Sequence, residues 1–91
     1  MIVSGSVLDN EMGILPNVIV TVLDENRETI TDENGHFTII ANSSNSQLRF
    51  SLLGYDYDTI SAGEFNQIGR IELYPSTTDL PEVIVNNNAK S

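Results

Sequence analysis

The stretch Pro16-Asn17-Val18-Ile19-Val20-Thr21-Val22-Leu23 places valine at every second position from 18 to 22. In an extended chain Val18, Val20 and Val22 share one face, while Ile19 and Thr21 point the other way. β-Branched side chains suit a pleated, half-buried surface and lose rotamer freedom in a helix. The segment is therefore a strand, opened by Pro16-Asn17 and broken by Asp24-Glu25-Asn26.

The period of two recurs on both sides of it. Toward the N-terminus, Val3, Gly5 and Val7 face one way before the turn cluster Asp9-Asn10-Glu11-Met12-Gly13. Toward the C-terminus a short segment, Glu28 to Thr31, leads to Asp32-Glu33-Asn34-Gly35 and then to His36-Phe37-Thr38-Ile39-Ile40. Asn-Gly between two alternating runs predicts a hairpin, because both residues tolerate positive φ. A polar loop from 41 to 47 precedes Leu48-Arg49-Phe50-Ser51-Leu52, with Leu48, Phe50 and Leu52 inward. Gly54-Tyr55 marks a break and 56–60 a further strand. Residues 61–66 read as a loop. The last strand of the alternating pattern, 68–74, has Ile71 and Leu73 inward and stops at Pro75. No amphipathic helix of useful length and no internal repeat is visible. Six or seven short strands with closely spaced turn signals predict an all-β sandwich or barrel.

Composition bounds what such a domain can be. Ninety-one residues make one domain that buries only about 60–65% of its unfolded surface. There is no cysteine, so neither a disulfide nor a thiolate metal site braces it, and the redox compartment stays open. Thirteen acidic against four basic residues give a formal charge of -9. Arg27, Arg49, Arg70 and Lys90 are scattered, which argues against nucleic acid and against anionic membrane surfaces. The acidity serves solubility; a cation-binding face is the sharper alternative. No apolar run approaches the ~20 residues of a membrane-spanning helix. Met1 is followed directly by an alternating strand, without the basic start and apolar middle of a leader. The expectation is a cytoplasmic chain or a processed or excised piece of a longer one. After Pro75 the composition shifts: 76–91 reads as a linker, with a β-prone run Leu80-Pro81-Glu82-Val83-Ile84-Val85 and a disordered end. Residues 1–75 are expected to form the sandwich.

Four blocks carry a family resemblance. They are Val3-Ser4-Gly5-Ser6-Val7-Leu8-Asp9, Leu15-Pro16-Asn17-Val18-Ile19-Val20, Thr31 to Ile39 with Asp32-Glu33-Asn34-Gly35 at its start, and Leu48 to Tyr55. In this order and spacing the chain resembles the carboxypeptidase regulatory-like domain family over residues 2–74. The resemblance implies a seven-stranded Greek-key β-sandwich of the transthyretin-like, immunoglobulin-like kind. It also implies a setting: such domains stand at the N-terminus of Bacteroidetes outer-membrane proteins, especially TonB-dependent, SusC-like receptors, in which a segment similar to Leu-x-Glu-Val-Val-Val follows the sandwich. Leu80 to Val85 resembles that segment. On this resemblance the chain is an exported, periplasm-facing piece that meets a membrane only through its parent protein. Asn17 stands where the family usually has glycine, and asparagine also tolerates a left-handed backbone.

No matching residue carries a catalytic role, and each candidate has a structural explanation beside the functional one. Asp32, Asn34 and Gly35 read as a structural turn. A calcium EF-hand loop fails, because Gly35 at its sixth position puts Ile30 first and Ala41 twelfth. His36, the single histidine, lacks the second imidazole or thiolate of a zinc site and reads as solvent-facing. No Gly-x-Ser-x-Gly elbow is present, so no enzyme, cofactor or metal is expected. Tyr55, Tyr57, Tyr74 and Phe65 are the stacking groups outside the inferred core and the basis of a glycan-binding alternative. Tyr55 is expected to pack, its hydroxyl on a backbone group. Asn42-Ser43-Ser44 matches a glycosylation acceptor that has no meaning in a bacterial protein. Leu80, Val83 and Val85 are read either as a strand that pairs with a sheet edge, its own or a partner's, or as flexible linker. Expected partners are proteins or neighbouring domains of the same polypeptide.

Overall fold

A computed structural model describes residues 1–76. In chain order its elements are β1 (Ile2–Asp9), β2 (Ile19–Val22), β3 (Arg27–Ile30), β4 (His36–Ile40), β5 (Gln47–Ser51), β6 (Asp58–Ser61), α1 (Ala62–Ile68) and β7 (Arg70–Leu73). Two sheets form, ordered β4-β1-β7 and β3-β2-β5-β6; we call them A and B. β1 and β7 run parallel, and the other paired strands are antiparallel. The domain is thus an all-β sandwich with one short helix.

Alternation generates the core. Val3 and Val7 of β1, Val20 and Val22 of β2, Phe37 and Ile39 of β4, Leu48 and Phe50 of β5, and Ile71 and Leu73 of β7 are buried, along with Val18 just ahead of β2. Their neighbours face outward, so each strand offers one apolar face and the two faces close on each other. Leu52 packs at the margin of this cluster.

The stretch expected to be a loop, 61–66, is mostly helix. α1 has seven residues and turns Ala62 and Phe65, three apart, into the core. Ser61 precedes it in extended conformation, and Gly69 ends it at φ 80°, its N–H donating to the Phe65 carbonyl at 2.7 Å. Fewer than two full turns cannot display a helical period, so the helix is invisible to pattern. It exists because Phe65 docks. Phe65 is not an external stacking group: it is completely buried. Its ring centroid lies 5.3 Å from those of both Phe37 and Phe50, which are 5.5 Å apart and edge-on. Gly5 makes the space. A Cβ there would stand 2.5 Å from the Phe65 ring and 2.5 Å from the Gly69 carbonyl oxygen.

The Asn34-Gly35 turn does not close a hairpin. β3 lies in sheet B and β4 in sheet A. The turn starts as one, with Asp32 N–H donating to the His36 carbonyl at 2.9 Å. Its arms then part to more distant partners. Thr31 N–H donates to the Val18 carbonyl at 3.0 Å, whereas the Gly35 carbonyl accepts from Val7 N–H at 2.9 Å. Thr31 is the buried polar residue among those described. Its Oγ1 accepts from Val18 N–H at 2.9 Å and donates to the Leu15 carbonyl at 2.8 Å. Its own carbonyl accepts from Asn17 N–H at 3.1 Å. All its polar groups are thereby satisfied by residues 15–18, as burial requires. Asn17 has φ 67°, the left-handed conformation that lets the chain turn under Thr31.

Gly5→Ala should destabilise the domain by about 1–3 kcal/mol through overpacking. Urea denaturation followed by circular dichroism measures this, and an unchanged midpoint would contradict the Gly5–Phe65 contact.

Candidate functional site

The polar turn at 32–35 is built around one carboxylate. Asp32 Oδ1 accepts from Asn34 N–H at 2.9 Å and from His36 N–H at 3.0 Å, and Gly35 N–H donates to the Asp32 carbonyl at 2.9 Å. Those donors, the His36 N–H first, hold the Asp32 carboxyl below its ordinary range, with the His36 charge adding to the effect. Gly35 is at φ 77°, and a Cβ there would stand 2.9 Å from the Val7 carbonyl oxygen. Asn34 is not left-handed. Asp9 repeats the device, its Oδ1 accepting from Glu11 N–H and Gly13 N–H, both at 2.8 Å. In both turns one carboxylate oxygen is turned inward on its own backbone, the geometry by which aspartate shapes a turn. Among the described residues no three of His, Asp or Glu converge on a point that could hold a metal ion. His36 is exposed at the start of β4.

A second polar cluster gave no sign in the sequence. Glu25, in the turn after β2, accepts from the Ser46 hydroxyl, from Asn42 N–H at 3.0 Å and from Arg27 Nη1 at 2.7 Å. Arg27 Nη1 also donates to Asn42 Oδ1 at 3.2 Å. The Ser46 hydroxyl is the main cause of a lowered Glu25 pKa, with Asn42 N–H and Arg27 acting the same way. This carboxylate ties the β2–β3 turn to the β4–β5 loop. Its partners are up to 21 residues away, beyond any local motif.

The tyrosines do not share a platform. Tyr55 is half-buried against the core and bridges to Pro75, and among the described residues its hydroxyl has no hydrogen bond. Tyr57 lies beside Arg49, whose guanidinium carbon is 5.9 Å from the ring centroid. Tyr74 lines a groove between β6 and β7, together with Asp58, Ile60, Glu64, Ile68 and Ile71. A second hollow, bordered by Ile19, Leu52, Leu53 and Tyr55, lies where the described chain ends at Ser76. Leu53 there is 99% exposed. Leu80, Val83 and Val85 fall outside the described residues.

What these features share is scaffolding, with turn carboxylates, left-handed positions and core aromatics in the service of one sandwich. The family model described as the CarboxypepD_reg-like domain matches residues 3–85. The chain belongs to the CarboxypepD_reg-like domain family. No curated protein matches it. Membership makes this a β-sandwich module of a non-catalytic family. The matched span includes Leu80 to Val85.

Gly35→Val should destabilise the domain by at least about 1–2 kcal/mol, because a β-branched residue is strained at positive φ; thermal melting reads the loss. Acid should act through Glu25 and Asp32. Both carboxyls are lowered in the folded state, so the unfolded chain binds more protons in the carboxylate range. Their stabilisation is present above the unfolded pKa values and is lost as pH falls through the folded ones. The melting temperature should therefore drop as pH is lowered below about 5, and Glu25→Gln should make that drop shallower. An equally steep acid limb in the variant would exclude Glu25 as a contributor.

Proposed function

We propose that this domain is a non-catalytic accessory and interaction module of a larger exported bacterial protein. It faces the periplasm at the N-terminus of a TonB-dependent, SusC-like outer-membrane receptor of Bacteroidetes, or of a related surface protein, and contributes protein contacts to carbohydrate uptake. The observation that carries the reading is family membership joined to the Leu80-Pro81-Glu82-Val83-Ile84-Val85 run, which resembles the segment that follows the sandwich in such receptors. The seven-stranded Greek-key, transthyretin-like connectivity belongs to the same proposal. The strand orders β4-β1-β7 and β3-β2-β5-β6 support it.

Geometry favours contacts over chemistry. One oxygen each of Asp9 and Asp32, and both oxygens of Glu25, accept from backbone or neighbouring side-chain donors. Exposed apolar residues such as Leu53, Ile19 and Ile30 stand instead on the outer surface. Neighbouring domains of the parent polypeptide are the partners this suits.

Antibodies raised against residues 1–76 should detect an antigen in the outer-membrane fraction of the source cells, at a mass well above that of these 91 residues. A cytosolic antigen of the size of this chain would overturn the proposal. Calorimetric titration with calcium and with common polysaccharides should give no heat; saturable heat would favour a glycan- or calcium-binding module instead.

A further inference from the structure

The outer face of sheet B stands exposed at Ile19, Glu28, Ile30 and Arg49. Side-chain parity fixes what it carries. Val20, Val22, Leu48 and Phe50 point into the core, so Ile19 and Thr21 of β2, Glu28 and Ile30 of β3, and Arg49 and Ser51 of β5 point out. Strand register sorts these six into two rows across the sheet. Ile30, Ile19 and Ser51 are consecutive cross-strand neighbours, and so are Glu28, Thr21 and Arg49. The first row is mostly apolar, and it runs on into the hollow bordered by Leu52, Leu53 and Tyr55. The second row carries one charge of each sign, one strand to either side of Thr21. Among the described residues neither Glu28 nor Arg49 has an ion pair. The Tyr57 ring lies beside the Arg49 guanidinium.

We infer that two copies of the domain associate through this face, related by a twofold axis that runs along β2. The arrangement of the rows selects a second copy as the occupant. Rotation about an axis parallel to the strands keeps every residue at its height along the strand and exchanges left with right. The apolar row then meets the apolar row, with Ile19 on its own counterpart. Ile30 of each copy comes over Ser51 of the other, beside the hollow at Leu53. Glu28 of each copy comes opposite Arg49 of the other, so one contact made twice pairs both charges that the single domain leaves unpaired. Facing sheets pack about 10 Å apart with their strands within about 30° of parallel, a gap that arginine and glutamate span together. The formal charge of -9 opposes self-association in general. On the outward positions of β2, β3 and β5, however, the charged residues are Glu28 and Arg49, which cancel, and salt screens the other acidic groups beyond about 8 Å. These side chains are few beside the roughly 20–30 residues a side of a standard interface, so the dimer is weak. The isoleucine row supplies its affinity, and the charge pairs set its register. This inference names one neighbour for the exposed apolar surface and does not depend on the parent protein being a receptor.

Sedimentation equilibrium of the complete 91-residue chain tests it, at concentrations up to about 1 mM so that weak affinities are read. The data should fit a monomer–dimer equilibrium. Glu28→Arg and Arg49→Glu should each weaken association at least about tenfold, since like charges then face each other. Both positions are exposed, so both variants should keep the far-ultraviolet circular dichroism of the unsubstituted chain. An equimolar mixture of the two variants should regain the lost affinity, because one copy then presents two positive charges in the row and the other two negative. A chain that stays monomeric at every concentration would overturn the inference. So would variants that associate as tightly as the unsubstituted chain, which would put the contact on another face, or a mixture no tighter than either variant alone.

Discussion

Three phenylalanines hold this small protein in one shape. Phe37 comes from sheet A, Phe50 from sheet B and Phe65 from α1, and their rings meet with centroids 5.3–5.5 Å apart. Each element therefore contributes one ring to a contact that the other two complete. Aromatic pairs at these distances add stabilisation beyond their buried area. A chain without cysteine has no covalent substitute for this junction. The absence of a side chain at Gly5 is the condition for it, since the Phe65 ring occupies the volume a methyl group would need. A packing requirement in the first strand is thus met by a residue sixty positions later in the sequence.

The second constraint is the passage from sheet B to sheet A. A tight turn ordinarily folds a strand back on its predecessor. Here Thr31 prevents that by committing its N–H, carbonyl and hydroxyl to residues 15–18. The strand before the turn stays in sheet B, and the strand after it is captured by β1. One buried hydroxyl, fully satisfied, separates a sandwich from a simple meander. Left without its partners the same hydroxyl would be a liability.

These two constraints explain which parts of the structure are legible in the sequence. Alternation in 18–22, 36–40 and 48–52 marks strands because side-chain direction in an extended chain depends only on parity. The left-handed backbone at Gly35 and Asn17 follows from residue type at a turn. The destination of a strand does not, because Thr31 finds its partners 13 and 16 residues away. Phe65 looks like a loop aromatic because its burial is created by two other rings. The Glu25 cluster joins two turns that no local pattern connects. As for function, the turn carboxylates are conspicuous in sequence as acidic clusters, and in the folded chain one oxygen of Asp9 and one of Asp32 each accept from two backbone N–H groups.

The parallel pairing of β1 with β7 has a mechanical consequence. Ile2 and Leu73 lie at opposite ends of this pair. Tension entering at Ile2 and leaving at Leu73 pulls the two strands past each other along their length. Such shear loads the rungs of the ladder together, whereas peeling would open them one by one. A sandwich wired in this way resists extension along the chain more strongly than its thermodynamic stability alone would indicate.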